Sequence, residues 1–324
     1  MKEAFISQVN KHATARTPFF FLVDFEKEKP RVWTTEELDA KALLFQVNGT
    51  TNAAANTPAK GGEWKTHPLP KTVYAKGYNI VIDHLKKGDS YLTNLTFPTP
   101  ISGMASLEKL FYQAQAPYKL WLKDELLSYS PECFIKIKGG KIFTYPMKGT
   151  VSADIPDAEK QLLGNKKELW EHSTIVDLLR NDLSQYAREV KVNRFRYIDT
   201  IEARGKSLLQ VSSEIEGKLS AQWREQLGEL LWDLLPAGSV SGAPKPKTLS
   251  IIKEAELRPR GYYTGVFGYF DGENLDSAVA IRYIEQDGEN YFYWSGGGIT
   301  AYSKLDEEYQ ELNDKIYVPT GREH

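Results

Sequence analysis

Several residue types that mark particular protein classes are scarce in this chain. A single cysteine, Cys133, among 324 residues excludes an internal disulfide and any metal site built from cysteines alone. The five histidines show no zinc-ligand spacing, and the chain has no Gly-x-Ser-x-Gly elbow of a hydrolase. Because Cys133 lies in the apolar motif YSPECFIKI, we expect it to be a buried strand residue and not a nucleophile.

The chain also lacks a strong charge bias and long apolar runs. Its formal net charge is -2, and it has no run of Lys and Arg long enough to bind nucleic acid. The first residues, MKEAFISQVNKHATART, contain no apolar core of a signal peptide. No stretch approaches the roughly 18 uninterrupted apolar residues of a membrane span. The sequence therefore predicts a cytoplasmic protein that binds neither nucleic acid nor membrane.

Short β-like runs dominate the first half of the chain, and helical segments are interspersed without strict βαβ alternation. We predict helices at 73–87, 104–116, 221–235, 246–257 and 303–317, and a long helix after Lys148. We predict strands at 189–198, 207–218, 262–271, 276–287 and 290–295. With 41% hydrophobic residues and no linker-like break, the chain is predicted to form one large α+β unit.

Two helical segments each carry a pair of glutamates on one face. Glu168 and Glu171 in KKELWEHSTIVDLLRND are spaced i, i+3, and so are Glu308 and Glu311 in SKLDEEYQELNDKI. One such pair alone is typical of a solvated helix surface. Two pairs on separate helices, each beside apolar residues, indicate convergence on a hard cation such as Mg²⁺, which prefers carboxylates, waters and an anionic substrate.

Two short segments cannot be assigned from their own residues. GSVSGAPK, 238–245, resembles a phosphate-binding loop, but Ala243 and Pro244 precede its lysine and no hydroxyl residue follows. It remains a glycine turn at a helix N-terminus, which suits an anionic ligand. Lys148, in IFTYPMKGTVS, lies where a strand should end, and a single lysine in such a turn is typically exposed.

Eight motifs follow one another along the chain: SPECFIKI, YPMKGT, KELWEHSTIVDLLRNDLS, LLPAGSVSGAPKPKTLSII, GYYTGVFGYF, SAVAIR, SGGGIT and DEEYQELNDKI. This series resembles the chorismate-utilising enzymes and, within them, component I of the aminodeoxychorismate synthases. The resemblance implies a chorismate-binding unit of two packed β-sheets flanked by helices, with a short strand-rich segment, 1–72, packed on a catalytic core, 73–324. It also implies that chorismate and ammonia are converted to 4-amino-4-deoxychorismate for 4-aminobenzoate and folate biosynthesis.

The resemblance implies roles for individual residues. Glu171 and Glu311 would bind Mg²⁺ directly, with Glu168 and Glu308 acting through water, and the ion would hold the ring carboxylate of chorismate. The substrate-binding positions would be Thr150, Gln210, Ser239, Tyr263, Arg282, Gly296, Gly297, Gly298 and Lys315. Of these, Tyr263, Arg282 and the three glycine amides match the grip on the enolpyruvyl carboxylate, which a guanidinium can bind bidentately.

Two residues would carry the chemistry by the same resemblance. Glu132 matches the carboxylic acid that helps the ring hydroxyl leave as water. Lys148 matches the lysine whose amine attacks ring carbon 2, before ammonia adds at carbon 4 and expels it. Attack requires a neutral amine, so we expect nearby cations or desolvation to lower the pKa of Lys148.

The same comparison leaves alternatives in other classes. Anthranilate synthases carry a small residue at the position of Lys148, and isochorismate synthases carry a water-activating lysine that Thr93 would replace. A degenerate scaffold without activity is a further alternative, disfavoured because the acidic and basic site residues are all present. Two departures from the family are Gln210, where a histidine is frequent, and a short N-terminal region, which puts a tryptophan-binding pocket in doubt.

No glutaminase domain and no suitable nucleophilic cysteine is present in the sequence. We therefore expect ammonia to come from a separate glutamine amidotransferase subunit.

Overall fold

The computed structural model describes residues 1–55, 64–104, 106–164, 166–203 and 206–318, without the side chains of 148–150, 166–167, 201–203 and 206. The helices are α1 (Lys2–Thr14), α2 (Lys71–Lys86), α3 (Leu107–Gln113), α4 (Ala158–Gly164), α5 (Lys166–Ser184), α6 (Leu227–Leu234), α7 (Gly238–Ser241), α8 (Lys245–Ala255) and α9 (Leu305–Asp314). The strands are β1 (Phe19–Val23), β2 (Arg31–Thr34), β3 (Leu43–Val47), β4 (Thr50–Thr51), β5 (Lys65–Thr66), β6 (Leu92–Ser102), β7 (Tyr118–Leu122), β8 (Leu126–Ser130), β9 (Cys133–Lys138), β10 (Lys141–Thr144), β11 (Met147–Ser152), β12 (Ala187–Ala203), β13 (Lys206–Leu219), β14 (Gly242–Ala243), β15 (Val266–Phe270), β16 (Leu275–Val279), β17 (Tyr283–Asp287) and β18 (Asn290–Ile299).

The strands form two large antiparallel sheets, which confirms the predicted α+β fold. Sheet A has the order β11-β13-β10-β9-β16-β15-β1-β2, and β12 also pairs with β13. Sheet B has the order β14-β6-β18-β17-β8-β7-β3-β4, and β5 also pairs with β6. The segment 1–72 contributes β1 and β2 to sheet A and β3 to sheet B, so its strands belong to the same sheets as the core.

Strand β1 shows why the sheets pack face to face. Phe20 and Leu22 pack in a cluster with residues of sheet B, whereas Phe19 and Phe21 pack in a cluster with α1 and α6. The ring of Phe20 stacks on that of Phe45 in β3, with centroids 4.8 Å apart. Both faces of β1 are therefore buried, which explains its uninterrupted apolar sequence, and each such side chain contributes about 1.5–3 kcal/mol.

Helices cover the outer faces of both sheets. Helices α1 and α6 pack on sheet A, and α2, α8 and α9 pack on sheet B around Phe97 of β6. Among the described residues, no helix is long and apolar enough to cross a membrane. Helix α1 is absent from the sequence-based prediction, although Phe5, Val9 and Ala13 follow helical spacing and are its buried residues.

The chain crosses between the sheets at two neighbouring points. Strand β8 of sheet B leads through residues 131–132 into β9 of sheet A, and β16 of sheet A leads through residues 280–282 into β17 of sheet B. The crossings are tied together, because the Val279 N–H donates to the Glu132 carbonyl at 3.1 Å. The Tyr129 N–H likewise donates to the Arg282 carbonyl at 3.1 Å.

Arg282 interrupts what the sequence predicts as one strand, 276–287. Its φ is 50°, in the left-handed region that non-glycine residues rarely adopt. Such backbone geometry persists where the surrounding structure imposes it and is frequent at functional sites. The turn ends β16 and sends the chain into the second sheet, so two predicted site residues, Glu132 and Arg282, both lie at sheet crossings.

Candidate active site

A cavity of about 1080 Å³ lies beside the two crossings. Thirteen of the fifteen site residues expected from the sequence line it: Glu132, Glu168, Glu171, Gln210, Ser239, Tyr263, Arg282, Gly296, Gly297, Gly298, Glu308, Glu311 and Lys315. The side chains of the other two, Lys148 and Thr150, lie outside the described residues. The fold thus brings together residues that are as much as 183 positions apart in the chain, from Glu132 to Lys315.

Two residues close to Lys148, one before it in the chain and one on the paired strand, line the cavity. Lys148 lies in β11 and pairs with Val211 of β13. Met147 immediately before it lines the cavity, and so does Gln210, which pairs with Thr150. The register shifts between Lys148 and Thr150, an irregularity of the kind that re-aims side chains next to active sites.

Glu132 is held at its crossing by hydrogen bonds of its backbone and of its side chain. Its backbone N–H donates to Ser130 Oγ at 3.0 Å. Its carboxyl oxygen Oε1 accepts a hydrogen bond from Ser239 Oγ in α7 at 2.5 Å. The glycine turn 238–245 therefore presents a hydroxyl to Glu132 and fixes one oxygen of its carboxyl group beside the cavity.

Arg282 and Tyr263 lie where a carboxylate could be bound. The Arg282 guanidinium donates through Nη1 to the Lys315 carbonyl at 3.1 Å and lies 4.7 Å from the ring centre of Tyr317. Tyr263 stacks on Trp294, with ring centroids 5.2 Å apart. Burial raises the pKa of the Tyr263 hydroxyl, so this group stays protonated and available as a donor at neutral pH.

Both glutamate pairs face the cavity from helices α5 and α9. A Cβ atom built on Gly297 of β18 would lie 3.2 Å from Glu311 Oε1 and 3.5 Å from Glu308 Oε2, so the missing side chain leaves room for both carboxylates. Within the described parts of the chain, no group of three or more His, Cys, Asp or Glu side chains is arranged to hold a metal ion. The carboxylates themselves are ligands that suit Mg²⁺, which stays a prediction.

Lys315 links the end of α9 to strand β18, which contains Gly296, Gly297 and Gly298. Its ammonium forms an ion pair with Glu311 Oε1 at 2.5 Å and donates to the Gly296 carbonyl at 2.7 Å. The family resemblance assigns Lys315 to the substrate and Glu311 to the metal ion, and in the structure these two side chains are direct partners. If Glu311 ligates a cation, its carboxylate must either bind the cation and Lys315 together or give up the ion pair with Lys315.

The structure corrects the position assigned to Thr93. Its side chain is fully buried, does not line the cavity, and donates through Oγ1 to Ser90 Oγ at 3.3 Å. The neighbouring Asn94 lines the cavity instead, because successive side chains of a strand point to opposite faces. Strand β6 has no lysine at any position, and the contrast with isochorismate synthases stays a prediction.

A buried arginine behind the cavity is absent from the sequence-based prediction. Arg260 pairs with Glu256 at 2.6 Å, and both side chains are almost fully buried. Its guanidinium also donates to the carbonyls of Val240 at 2.8 Å and Asn94 at 2.7 Å, both in residues that line the cavity. The segment ELRPRG has the composition of an exposed loop, and no local pattern indicates that Arg260 is buried.

The remaining segments from the sequence analysis have structural partners. The ammonium of Lys245, at the end of the glycine turn, lies 3.0 Å from Asp182 Oδ2 and donates to the Leu234 carbonyl at 3.1 Å. Cys133 begins β9, and desolvation raises the pKa of its thiol to about 12. The thiol is therefore neutral at physiological pH, which argues against a nucleophilic role.

Comparisons with known proteins agree with this architecture. A family model described as chorismate binding enzyme matches residues 7–321. An uncharacterized PabA-like protein of Haemophilus influenzae is 53% identical over 315 residues, which cover 97% of this chain and 96% of that protein. Aminodeoxychorismate synthase component 1 of Escherichia coli is 32% identical over 273 residues, which cover 78% of this chain and 58% of that protein.

A solved structure is similar in fold. The menaquinone-specific isochorismate synthase of Escherichia coli superposes with a TM-score of 0.74 over 97% of this chain and 80% of its own. Sequence identity is 17%, so the likeness extends to the fold alone.

Proposed function

We propose that this chain, which belongs to the chorismate binding enzymes and acts on chorismate, forms 4-amino-4-deoxychorismate from chorismate and ammonia. The observation that carries the proposal is the convergence on one cavity of both glutamate pairs, Glu132 and Arg282, beside the strand of Lys148. The motif PMKGT distinguishes this reaction from anthranilate formation, and the absence of lysine from β6 distinguishes it from isochorismate formation.

Substrate binding follows from the charges around the cavity. Chorismate carries two carboxylates, and Arg282 together with the hydroxyl of Tyr263 and the backbone amides of 296–298 would bind the one on the enolpyruvyl group. Glu171 and Glu311, with Glu168 and Glu308 nearby, would hold Mg²⁺. When bound, the ion would neutralise the ring carboxylate, which four glutamates would otherwise repel.

The chemistry would proceed by two allylic displacements. The neutral amine of Lys148 forms a bond to ring carbon 2 while the 4-hydroxyl leaves, and Glu132 supplies the proton that converts this hydroxyl to water. Ammonia then forms a bond to carbon 4, and the bond from Lys148 to carbon 2 breaks. The proton lost by ammonia returns to the lysine or to Glu132, so the net reaction replaces a hydroxyl by an amino group and releases one water.

Ammonia would come from a glutamine amidotransferase subunit. A glutaminase needs a reactive thiolate, and the one cysteine of this chain has a thiol pKa of about 12. Free ammonium salts at mildly alkaline pH should replace the partner in the test tube.

The test is a product analysis with purified protein. The chain is incubated with chorismate, Mg²⁺ and an ammonium salt, and products are identified by chromatography and mass spectrometry, with and without a lyase that forms 4-aminobenzoate. We expect a product that the lyase converts to 4-aminobenzoate. Lys148→Ala should abolish it, whereas Lys138→Ala, which removes an exposed lysine of β9, should leave it unchanged.

Other products would contradict the proposal in distinct ways. Fluorescent anthranilate from the wild-type chain would assign it to the other branch of the family. Isochorismate would show that water is activated without a lysine in β6. Unchanged chorismate both with free ammonia and with an added amidotransferase subunit and glutamine would refute amination.

A further inference from the structure

We propose that the hydrogen bond between His172 and Ser213 positions the glutamate helix α5 against the lysine strand β11. The inference rests on the proposed function, since it concerns how the proposed metal ligands of α5 are held at a fixed position relative to Lys148 of β11. His172 and Ser213 do not line the cavity, so both would be positioning residues and not catalytic ones.

His172 is a buried residue directly beside a predicted metal ligand. It follows Glu171 on α5, and only 1% of its surface is exposed. Its Nε2 atom lies 2.6 Å from Ser213 Oγ. Successive residues of a helix project about 100° apart, so an anchor at His172 fixes the direction in which Glu171 leaves the helix.

Ser213 extends this link to the lysine strand. Its hydroxyl oxygen also accepts a hydrogen bond from the Arg196 N–H at 2.9 Å, and the residue is fully buried. Its own backbone N–H donates to the Pro146 carbonyl at 3.0 Å, two residues before Lys148. A short chain of hydrogen bonds therefore runs from the residue after Glu171 to the start of β11.

This chain of bonds connects parts of the site that are otherwise on separate elements. Glu168 and Glu171 come from α5, which packs on sheet A through Val176 and Leu183. Lys148 comes from β11, the first strand in the order of that sheet. A misplacement of about 1 Å between reacting groups can cost about a hundredfold in rate. Losing the link should therefore lower turnover by roughly 10- to 100-fold and change substrate affinity much less.

The experiment compares His172→Leu, His172→Gln, Ser213→Ala and the double variant of His172→Leu with Ser213→Ala. We expect His172→Leu and Ser213→Ala to lower kcat by about 10- to 100-fold, with KM for chorismate within about threefold of wild type. The double variant should be no slower than the slower single variant, since both remove one bond. His172→Gln should retain most of the activity, because its amide can reach Ser213 from a similar position.

A buried serine elsewhere provides the matched control. Ser277 in β16 is fully buried and its hydroxyl donates to the Ile135 carbonyl at 2.7 Å, but it does not line the cavity. Ser277→Ala should lower the free energy of unfolding as Ser213→Ala does, while kcat of the folded fraction stays unchanged. Equal kcat losses in Ser277→Ala and Ser213→Ala, or multiplicative losses in the double variant, would overturn the positioning role.

Amide hydrogen exchange separates this proposal from the proposed function. Exchange in 147–152 should accelerate in Ser213→Ala and His172→Leu and stay unchanged in Ser277→Ala, whatever product the wild-type chain makes. Unchanged exchange in all three variants would refute the link even if the chain is an aminating enzyme. Formation of anthranilate with accelerated exchange would refute the proposed function and leave the link in place.

Discussion

Gly297 gives a direct test of whether the glutamates of α9 form a cation site. In Gly297→Ala the new Cβ would lie 3.2 Å from Glu311 Oε1 and 3.5 Å from Glu308 Oε2, with no backbone atom among these nearest contacts. The first of these distances is too short for an undisturbed contact, so the Glu311 carboxylate must move by a few tenths of an ångström. The backbone amide proposed to bind substrate is retained.

The size of the effect follows from this displacement. About 1 Å of misplacement between reacting groups can lower a reaction rate about a hundredfold. If metal binding is equally sensitive to position, a shift of a few tenths of an ångström should raise the half-saturating Mg²⁺ concentration by about 3- to 10-fold. Tenfold corresponds to about 1.4 kcal/mol. The free energy of unfolding should change by less than about 1 kcal/mol, because the carboxylates lie beside an open cavity and can yield.

The neighbouring glycine supplies a matched control. A Cβ on Gly296 would lie 2.4 Å from the Leu95 carbonyl oxygen, which belongs to the paired strand and cannot yield as a side chain does. Gly296→Ala should therefore destabilise the protein by about 1–3 kcal/mol or more. Gly164→Ala, at an exposed position where no atom lies within 4 Å of the new Cβ, should leave both stability and activity near wild type.

The assay is amination activity as a function of Mg²⁺ concentration, together with urea unfolding of each variant. Mn²⁺ binding measured by electron paramagnetic resonance reports the affinity of the site without turnover. A Gly297→Ala protein with unchanged Mg²⁺ and Mn²⁺ affinity would show that Glu308 and Glu311 do not form the cation site. A variant that unfolds more easily than Gly296→Ala would show that the carboxylates are fixed and that the steric argument is wrong.

Three further predictions follow from burial. Arg260→Met should lower the free energy of unfolding by about 3–5 kcal/mol, because Glu256 is left charged and buried, and adding Glu256→Gln should recover part of the loss in urea unfolding. Cys133 should not react with a thiol reagent at pH 8 until the protein unfolds, because its thiol pKa is raised from 9.0 to about 12. The contribution of this thiol to the free energy of unfolding is complete below pH 9 and is lost as the pH rises to about 12. Cys133→Ala should remove this pH dependence. Trp170→Ala should change stability by less than about 0.5 kcal/mol because the side chain is 74% exposed, whereas Trp294→Ala, at 1% exposure, should cost about 3–5 kcal/mol in the same measurement.

Local sequence patterns were informative where one element decides the outcome. The i, i+3 spacing of Glu168 and Glu171 is enough to put both on one face of a helix, and α5 contains both. The predicted helix 246–257 corresponds to α8, Lys245–Ala255. Predicted element boundaries were wrong where tertiary packing bends the chain. The predicted strand 276–287 is two strands in two sheets, because Arg282 turns the chain at a crossing.

The face of a strand that meets the cavity also required the structure. Thr93 and Asn94 are adjacent polar residues in a strand that is buried on both sides, so the sequence does not indicate which of them faces the site. Pairing of β6 with β18 decides it, since Asn94 lies opposite Gly298 and lines the cavity with it.

The sequence by itself indicated the family, which acts on chorismate, and placed two glutamate pairs on helices. It placed Lys148 at the end of a strand, whereas the structure has this residue inside β11. Only the tertiary structure decided how these groups are held. The ion pair of Lys315 with Glu311, the buried Arg260 behind the cavity and the bond from His172 to Ser213 join residues through space. Local periodicity reports which side of an element is buried, whereas the partner that a buried polar group finds depends on the packing of distant segments.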